Sequence, residues 1–223
     1  MKIGVFGDSY AEKNCKESLI WWGILNQTTD HEVVCHGESA SSIIYSAKKI
    51  LEQYQDYDLV IWCLTQGGRQ TVYFEDRPYH FAPGCNFKTA SAFIQQKFMQ
   101  YIDHWSSGLL DWENERFNGR NAVHYVTDVC KNVMVIPCFQ EPLACDFNLF
   151  ELSKKEAKFY FGEVDAEDFY NRYHDLRAGH LSPSSQKILA SEIEKKLVPG
   201  IFQTEYSKFS NPVEPVDKLF KKI

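Results

Sequence analysis

Serine, histidine and aspartate side chains in this sequence occupy positions from which they could carry out nucleophilic catalysis. Ser9 completes the tripeptide Gly-Asp-Ser that directly follows the apolar segment at residues 3–6, and His180 stands five residues after Asp175. A serine nucleophile needs a base within hydrogen-bond reach, an acid that orients the base, and donors for the developing oxyanion. Ser9, His180 and Asp175 are the candidates for the first three parts. Simpler interpretations stay open: a helix cap, a surface histidine and an exposed carboxylate, respectively.

Two loops further along the chain could supply the oxyanion donors and the substrate contacts. The first, HGESASS at residues 36–42, offers backbone N–H groups, and the second, TQGGR at residues 65–69, offers the side-chain amide of Gln66. Arg69 follows two glycines at a strand end, where its cation could bind a carboxylate or phosphate of a substrate, or form a salt bridge within the protein. The predicted substrate contacts are Gly37, Thr65 and Arg69.

The segments that must position these residues alternate between strand and helix patterns. Strands are predicted at residues 2–6, 32–35, 59–64 and 132–138, and helices at 12–27, 43–54, 87–106, about 110–130, and from Ser182-Pro183 to about Leu197. Strands that are apolar on both faces and alternate with helices indicate a parallel sheet covered on both sides. Because the carboxyl ends of parallel strands share one edge of the sheet, we expect the candidate residues to converge there. An irregular loop is predicted for residues 70–86, a mixed pattern covers 143–175, and the tail from Pro199 has no clear periodicity.

In their order along the chain, these segments resemble the SGNH (GDSL-type) hydrolase family. Gly7-Asp8-Ser9 matches the turn that carries the nucleophilic serine of that family, and His180-Leu181-Ser182 matches the block that carries its histidine. The resemblance covers nearly the whole chain and implies one domain over residues 1–223. The implied fold is a three-layer α/β/α sandwich with a mainly parallel sheet, of the flavodoxin-like kind, with a loop and helical insertion at about 70–130. The resemblance also implies the roles of nucleophile, base and acid for the three candidates above.

Three positions depart from the family's pattern. Ala40 stands where the family has a glycine whose N–H binds the oxyanion, and Gln66 (or Thr65) takes the place of an asparagine amide. The family's aspartate lies three residues before the histidine, where this chain has Arg177, so Asp175 is the available acid. The resemblance therefore implies that the N–H of Ala40 and the side-chain amide of Gln66 bind the oxyanion together with the N–H of Ser9.

Composition disfavours several other classes of function. The 223 residues are 44% hydrophobic and 24% charged, as in an ordinary globular protein, and the net charge of −6 without a basic stripe disfavours nucleic acid or a membrane as partner. Seven separated cysteines, an odd number without a CxxC pair, predict free thiols in a reducing compartment rather than a metal site. No cofactor is expected. The short N-terminus lacks a signal-peptide pattern, and no apolar run is long enough to span a membrane, so a cytoplasmic location is predicted.

Three functions are consistent with these residues. The first is a serine esterase that removes an acyl group, such as acetyl, from a carbohydrate or small metabolite. The second is an acyltransferase that uses the same acyl-enzyme but passes the acyl group to a sugar hydroxyl. The third is a non-catalytic binding protein on the hydrolase fold, which the departures at positions 40, 66 and 177 keep open. The sequence leaves the acyl group, its acceptor and the oligomeric state open.

Overall fold

A parallel β-sheet lies at the centre of the protein. The computed structural model describes residues 1–13, 20–74, 77–81, 112–140, 143, 145–161 and 181–209. Within these ranges the strands are β1 (Lys2–Gly7), β2 (Glu32–Cys35), β3 (Leu59–Leu64), β4 (Gln70–Phe74), β5 (Arg77–Phe81), β6 (Val133–Pro137) and β7 (Gly200–Ile201). Five of them form a sheet in the order β2-β1-β3-β6-β7, and every neighbouring pair is parallel. The four strands predicted from the sequence are confirmed to within one residue at each end.

Helices cover both faces of the sheet, which confirms the predicted three-layer α/β/α arrangement. They are α1 (Trp21–Thr28), α2 (Ile43–Gln53), α3 (Trp112–Val129), α4 (Leu149–Phe161) and α5 (Pro183–Glu194). Side chains of β3 alternate between the two resulting cores. Ile61 and Cys63 pack with α1, α4 and α5, whereas Trp62 and Leu64 pack with α2 and α3. Because both faces are buried, β3 is apolar at all six positions.

The helix predicted for residues 12–27 is wrong at its N-terminal end. Ser9–Ala11 form one turn of 3-10 helix, and α1 begins at Trp21. Glu12 pairs with Gly37 as an isolated parallel bridge, and the N–H of Lys13 donates to the Gly37 carbonyl at 3.1 Å. These bonds to a neighbouring loop hold the backbone out of a helix. Residues 14–19 and the helix predicted at 87–106 lie outside the described residues.

The irregular loop predicted for residues 70–86 is corrected by a β-hairpin over residues 70–74 and 77–81, and residues 75–76 and 82–86 lie outside the described residues. β4 and β5 pair antiparallel, with Thr71 opposite His80. Pro78 obscured this pattern, but a two-stranded ribbon has free edges on which proline is tolerated. The sequence analysis also missed α4 and β7, and α5 ends at Glu194 rather than Leu197. Among the described helices, none is long and apolar enough to cross a membrane.

Candidate active site

The turn after β1 requires a glycine at its first position. Gly7 has φ +136°, and a Cβ atom placed there would lie 2.3 Å from the carbonyl oxygen of Cys63 on β3. The chain therefore leaves β1 while it is pressed against its neighbouring strand. β1 lies between β2 and β3 in the sheet, so the order of strands reverses at this point. In open α/β sheets, ligands bind outside the carboxyl ends of the strands at such a reversal.

Asp8, rather than Ser9, is the cap of the short helical turn that follows. The Asp8 carboxylate accepts a hydrogen bond from the N–H of Tyr10 at 3.1 Å. Ser9 is the first residue of the turn and is 8% exposed. Among the residues that the structure describes, its hydroxyl has no hydrogen-bond partner. The interpretation of Ser9 as the helix cap is therefore excluded.

A buried ion pair holds Asp8 in place. The other carboxylate oxygen of Asp8 accepts from the Thr65 hydroxyl at 2.8 Å and from Arg69 Nη1 at 3.0 Å. Asp8 is fully buried, and the Arg69 side chain is 9% exposed and lies over the ring of Phe139. The salt bridge that the sequence left open for Arg69 is thus formed. Arg69 Nε is buried and has no partner among the described residues.

The loop at residues 36–42 is anchored directly to the Gly7 turn. The N–H of Glu38 and the hydroxyl of Ser41 both donate to the Gly7 carbonyl at 2.9 Å. Gly37 packs so closely that a Cβ there would lie 1.8 Å from the Ala11 carbonyl oxygen. This loop, predicted to supply oxyanion donors, therefore lies beside Ser9.

Ala40 has the backbone conformation of a glycine. Its φ is +60°, in the left-handed region that L-residues rarely adopt. Its N–H makes no hydrogen bond within the described part of the chain. Ala40 therefore adopts a backbone conformation that glycine would adopt more readily. Gln66 is exposed at the carboxyl end of β3, and Thr65 beside it is buried.

A tryptophan on α1 connects the Ser9 turn to the start of α5. Trp21 Nε1 donates to the carbonyl of Tyr10 at 2.9 Å, and the Trp21 N–H donates to the side chain of Gln186 at 2.8 Å. Gln186 is fully buried in the first turns of α5. Trp21 therefore links the residue that follows Ser9, through its indole, to α5, through its backbone N–H.

The start of α5 is itself rigidly held. Ser182 caps the helix, and its N–H and hydroxyl donate to Glu156 of α4 at 2.9 and 2.6 Å. Leu181 is buried in the same apolar cluster as Tyr10. His180, Asp175 and Arg177 lie outside the described residues.

A second polar cluster near the turn was not predicted. His80 on β5 bonds Glu38 through Nε2 at 3.1 Å and Thr71 through Nδ1 at 2.9 Å. Thr71 in turn bonds the hydroxyl of Ser42 at 2.9 Å, and Lys13 donates to Glu38 at 2.8 Å. This chain of contacts ties the hairpin to the 36–42 loop. Sequence reasoning missed it because the hairpin itself was not predicted.

Burial and hydrogen bonding shift the pKa values in this cluster in consistent directions. Burial lowers the pKa of His80, against the opposing effect of the Glu38 carboxylate. Burial alone would raise the pKa of Glu38, but hydrogen bonds from Lys13, His80 and Tyr45 outweigh it and leave that pKa below its ordinary value. Burial and the bond to Glu38 raise the pKa of Tyr45. The cluster therefore favours a neutral His80 beside an ionised Glu38.

Within the described ranges, no group of three or more histidine, cysteine or acidic side chains is arranged to hold a metal ion. Cys35, Cys63, Cys130, Cys138 and Cys145 form no disulfide within the described residues.

Comparison with known proteins gives two similar solved structures. A member of the lipolytic G-D-S-L protein family from Veillonella parvula DSM 2008 has 11% sequence identity and a TM-score of 0.40, over 88% of this chain and 97% of that chain. A putative lipolytic protein of the G-D-S-L family from Desulfitobacterium hafniense DCB-2 has 16% identity and a TM-score of 0.36, over 88% of this chain and 99% of that chain. No protein-family model and no curated protein matches the chain.

Proposed function

We propose that the protein is a serine hydrolase of the SGNH (GDSL) type that cleaves an ester. Ser9 is the nucleophile, His180 the general base and Asp175 the acid that orients the imidazole. The substrate is an acyl ester of a carbohydrate or of a small metabolite. The observation that carries this proposal is the Ser9 hydroxyl, which no described residue bonds, on a turn that Gly7 and Asp8 hold at the carboxyl edge of the sheet.

The contacts of Trp21 support the role of His180 as the general base. Tyr10, next to Ser9, and Gln186 on α5 both accept hydrogen bonds from Trp21, although they are far apart in sequence. His180 precedes α5 directly, and its neighbour Leu181 is buried in the core that also contains Tyr10. The residues next to Ser9 and His180 in the sequence thus belong to the same buried core, which supports His180 as the base.

The reaction then follows from the chemistry of these groups. Ser9 Oγ attacks the carbonyl carbon while His180 accepts the hydroxyl proton, and the resulting oxyanion is bound by the N–H groups of Ser9 and Ala40 and by the Gln66 amide. Collapse breaks the bond to the alcohol, which takes the proton from His180. Water, activated by the same base, attacks the acyl-enzyme and releases the acid. If a sugar hydroxyl takes the place of water, the same site performs acyl transfer.

Kinetics of variants test the proposal. Ser9→Ala and His180→Ala should each lower kcat on a short-chain 4-nitrophenyl ester by up to about 10⁶-fold, as when a serine nucleophile unit is broken. Asp175→Asn should cost less, because the acid only orients and stabilises the imidazolium. Circular dichroism checks that each variant is folded. Full turnover by folded Ser9→Ala would refute Ser9 as the nucleophile, whereas no turnover by the unaltered, folded protein would favour a non-catalytic binding protein.

A further inference from the structure

A cleft of about 650 Å³ has Arg69, which bonds Asp8 of the Ser9 turn, in its wall. It lies between α2, α3 and the β4–β5 hairpin. A shallower hollow of about 350 Å³ along α2 and α3 shares several of its lining residues, including Lys48 and Tyr125. Sites for small ligands commonly have volumes of about 300–1,000 Å³. The cleft therefore has the size for a ligand such as a short oligosaccharide.

One face of α3 lines this cleft with amide and aromatic side chains. Asn118, Asn121 and Tyr125 follow each other at helical spacing and share that face. Val123 and Val126 of the same helix are buried in the core. The Tyr125 side chain remains 60% exposed, and Tyr73 of β4, which also lines the cleft, remains 50% exposed. Aromatic surface left exposed around a cleft marks a place where a ligand binds.

Two charged side chains, Arg69 and Lys48, are among the described residues that line the cleft. Arg69 is paired with the buried Asp8 at 3.0 Å, whereas Lys48 lies 4.0 Å from Glu52, an exposed carboxylate that Lys49 shares at 3.8 Å. The Lys48 ammonium also lies 5.4 Å from the centre of the Tyr73 ring. The other described lining side chains carry no charge, so the lining favours a ligand that has no net charge.

We propose that this cleft binds a neutral carbohydrate. The rings of Tyr73 and Tyr125 offer flat apolar surfaces for the C–H faces of pyranose rings. The amides of Asn118 and Asn121 each offer two donors and an acceptor oxygen, which match neighbouring sugar hydroxyls. The assignment of this sugar as the alcohol part of an ester cleaved at Ser9 rests on the proposed function. The binding itself does not.

Binding is measured by isothermal titration calorimetry on the Ser9→Ala protein, so that turnover cannot interfere. The probes are the neutral tetrasaccharides cellotetraose, xylotetraose and chitotetraose, with tetragalacturonate as the anionic comparison. We expect at least one neutral probe to bind at millimolar concentration, and Tyr125→Ala to weaken it about tenfold. Phe117→Ala is the matched control, because Phe117 is on the same helix, is also 60% exposed and does not line the cleft. It should leave the affinity unchanged.

Three results would overturn the cleft as a carbohydrate site. They are no binding of any neutral probe, an equal loss of affinity in Phe117→Ala, or binding of tetragalacturonate alone with its loss in Lys48→Met. Dissociation of an oligomer by Tyr125→Ala, seen by analytical ultracentrifugation, would instead assign the aromatic face to a second copy of the chain.

Activity distinguishes this inference from the proposed function. With the Ser9-containing protein, Tyr125→Ala should lower kcat/KM on acetylated xylotetraose about tenfold, and Phe117→Ala should not. Sugar binding without any reaction at Ser9 would refute the hydrolase and keep the cleft. Turnover of simple esters without sugar binding would refute the cleft as a carbohydrate site and keep the hydrolase.

Discussion

The two carboxylates beside the Ser9 turn are held in contrasting ways. Asp8 is fully buried, and its oxygens are bound by the Tyr10 N–H, a hydroxyl and the guanidinium of Arg69. Glu38 is part-exposed and is bound by Lys13, a flexible cation, and by His80, whose pKa is lowered by burial so that it gains a charge only in acidic solution. The Asp8 cluster therefore fixes the position of the turn, whereas the Glu38 cluster fixes the adjoining loop in a way that pH can alter.

Removing the cation from each carboxylate should separate the two clusters most strongly. Arg69→Met leaves the Asp8 charge buried without compensation and should lower the free energy of unfolding by about 3–5 kcal/mol. Lys13→Met removes a solvent-exposed partner of Glu38 and should cost about 0–1 kcal/mol. Urea denaturation of both variants measures the difference. Equal losses would mean that the Asp8 pair is not electrostatically isolated from water.

The Gly7 turn should tolerate no side chain. Gly7→Ala combines a strained positive φ with a Cβ inside contact distance of Cys63, and should cost about 3 kcal/mol or more. Gly200→Ala is a matched control, since Gly200 has φ +128° but nothing within 4 Å of an added Cβ. The loss of unfolding free energy in Gly7→Ala beyond that in Gly200→Ala measures the effect of the close approach of β1 and β3. A similar loss for both variants in urea denaturation would leave strain alone as the cause.

The Glu38 cluster should make stability depend on pH. Burial lowers the pKa of His80 in the folded protein, so the unfolded chain binds more protons below about pH 6.5. The stability due to the neutral imidazole is present above that pH and is lost as the pH falls through the folded pKa. His80→Gln should therefore have a shallower decline in unfolding free energy between about pH 6.5 and 5. An unchanged slope would contradict this role.

His36 should add to the same acid sensitivity. Burial, with the nearby charges of Lys13 and Lys49, lowers its pKa. His36→Gln and His80→Gln together should flatten the decline more than either one alone.

The smallest effect is expected at Ala40. Ala40→Gly removes the cost of a left-handed alanine but gives the unfolded chain more freedom, so stability should change by less than about 1 kcal/mol. If the Ala40 N–H binds the oxyanion, esterase activity should be kept in Ala40→Gly. It should be reduced in Ala40→Val, because a β-branched residue resists this conformation. Full activity in Ala40→Val would argue against that donor.

The sequence predicts the sheet well because each of its main strands has a recognisable pattern within a few consecutive residues. Residues 59–64 are apolar on both faces, and Gly7 ends the first such run with a turn that only glycine allows. These features depend on neighbours in the chain, so pattern and propensity are enough to find them.

The contacts that organise the candidate site could not be predicted in the same way. Asp8 and Arg69 were both noted, but their pairing depends on β1 and β3 being adjacent. The hydrogen bond from Trp21 to Gln186 joins residues 165 positions apart. The His80 cluster depends on a hairpin whose proline weakens its strand pattern. Long-range polar contacts leave no local signal in a single sequence.

Reaction with a fluorophosphonate probe tests the central claim, that Ser9 is a nucleophile, most directly. The intact protein is incubated with the probe at neutral pH, and the modified residue is located by peptide mass spectrometry. We expect one adduct on the peptide that contains Ser9, and no adduct in folded Ser9→Ala. A protein that stays unlabelled while folded, or equal labelling of Ser9→Ala, would contradict the claim.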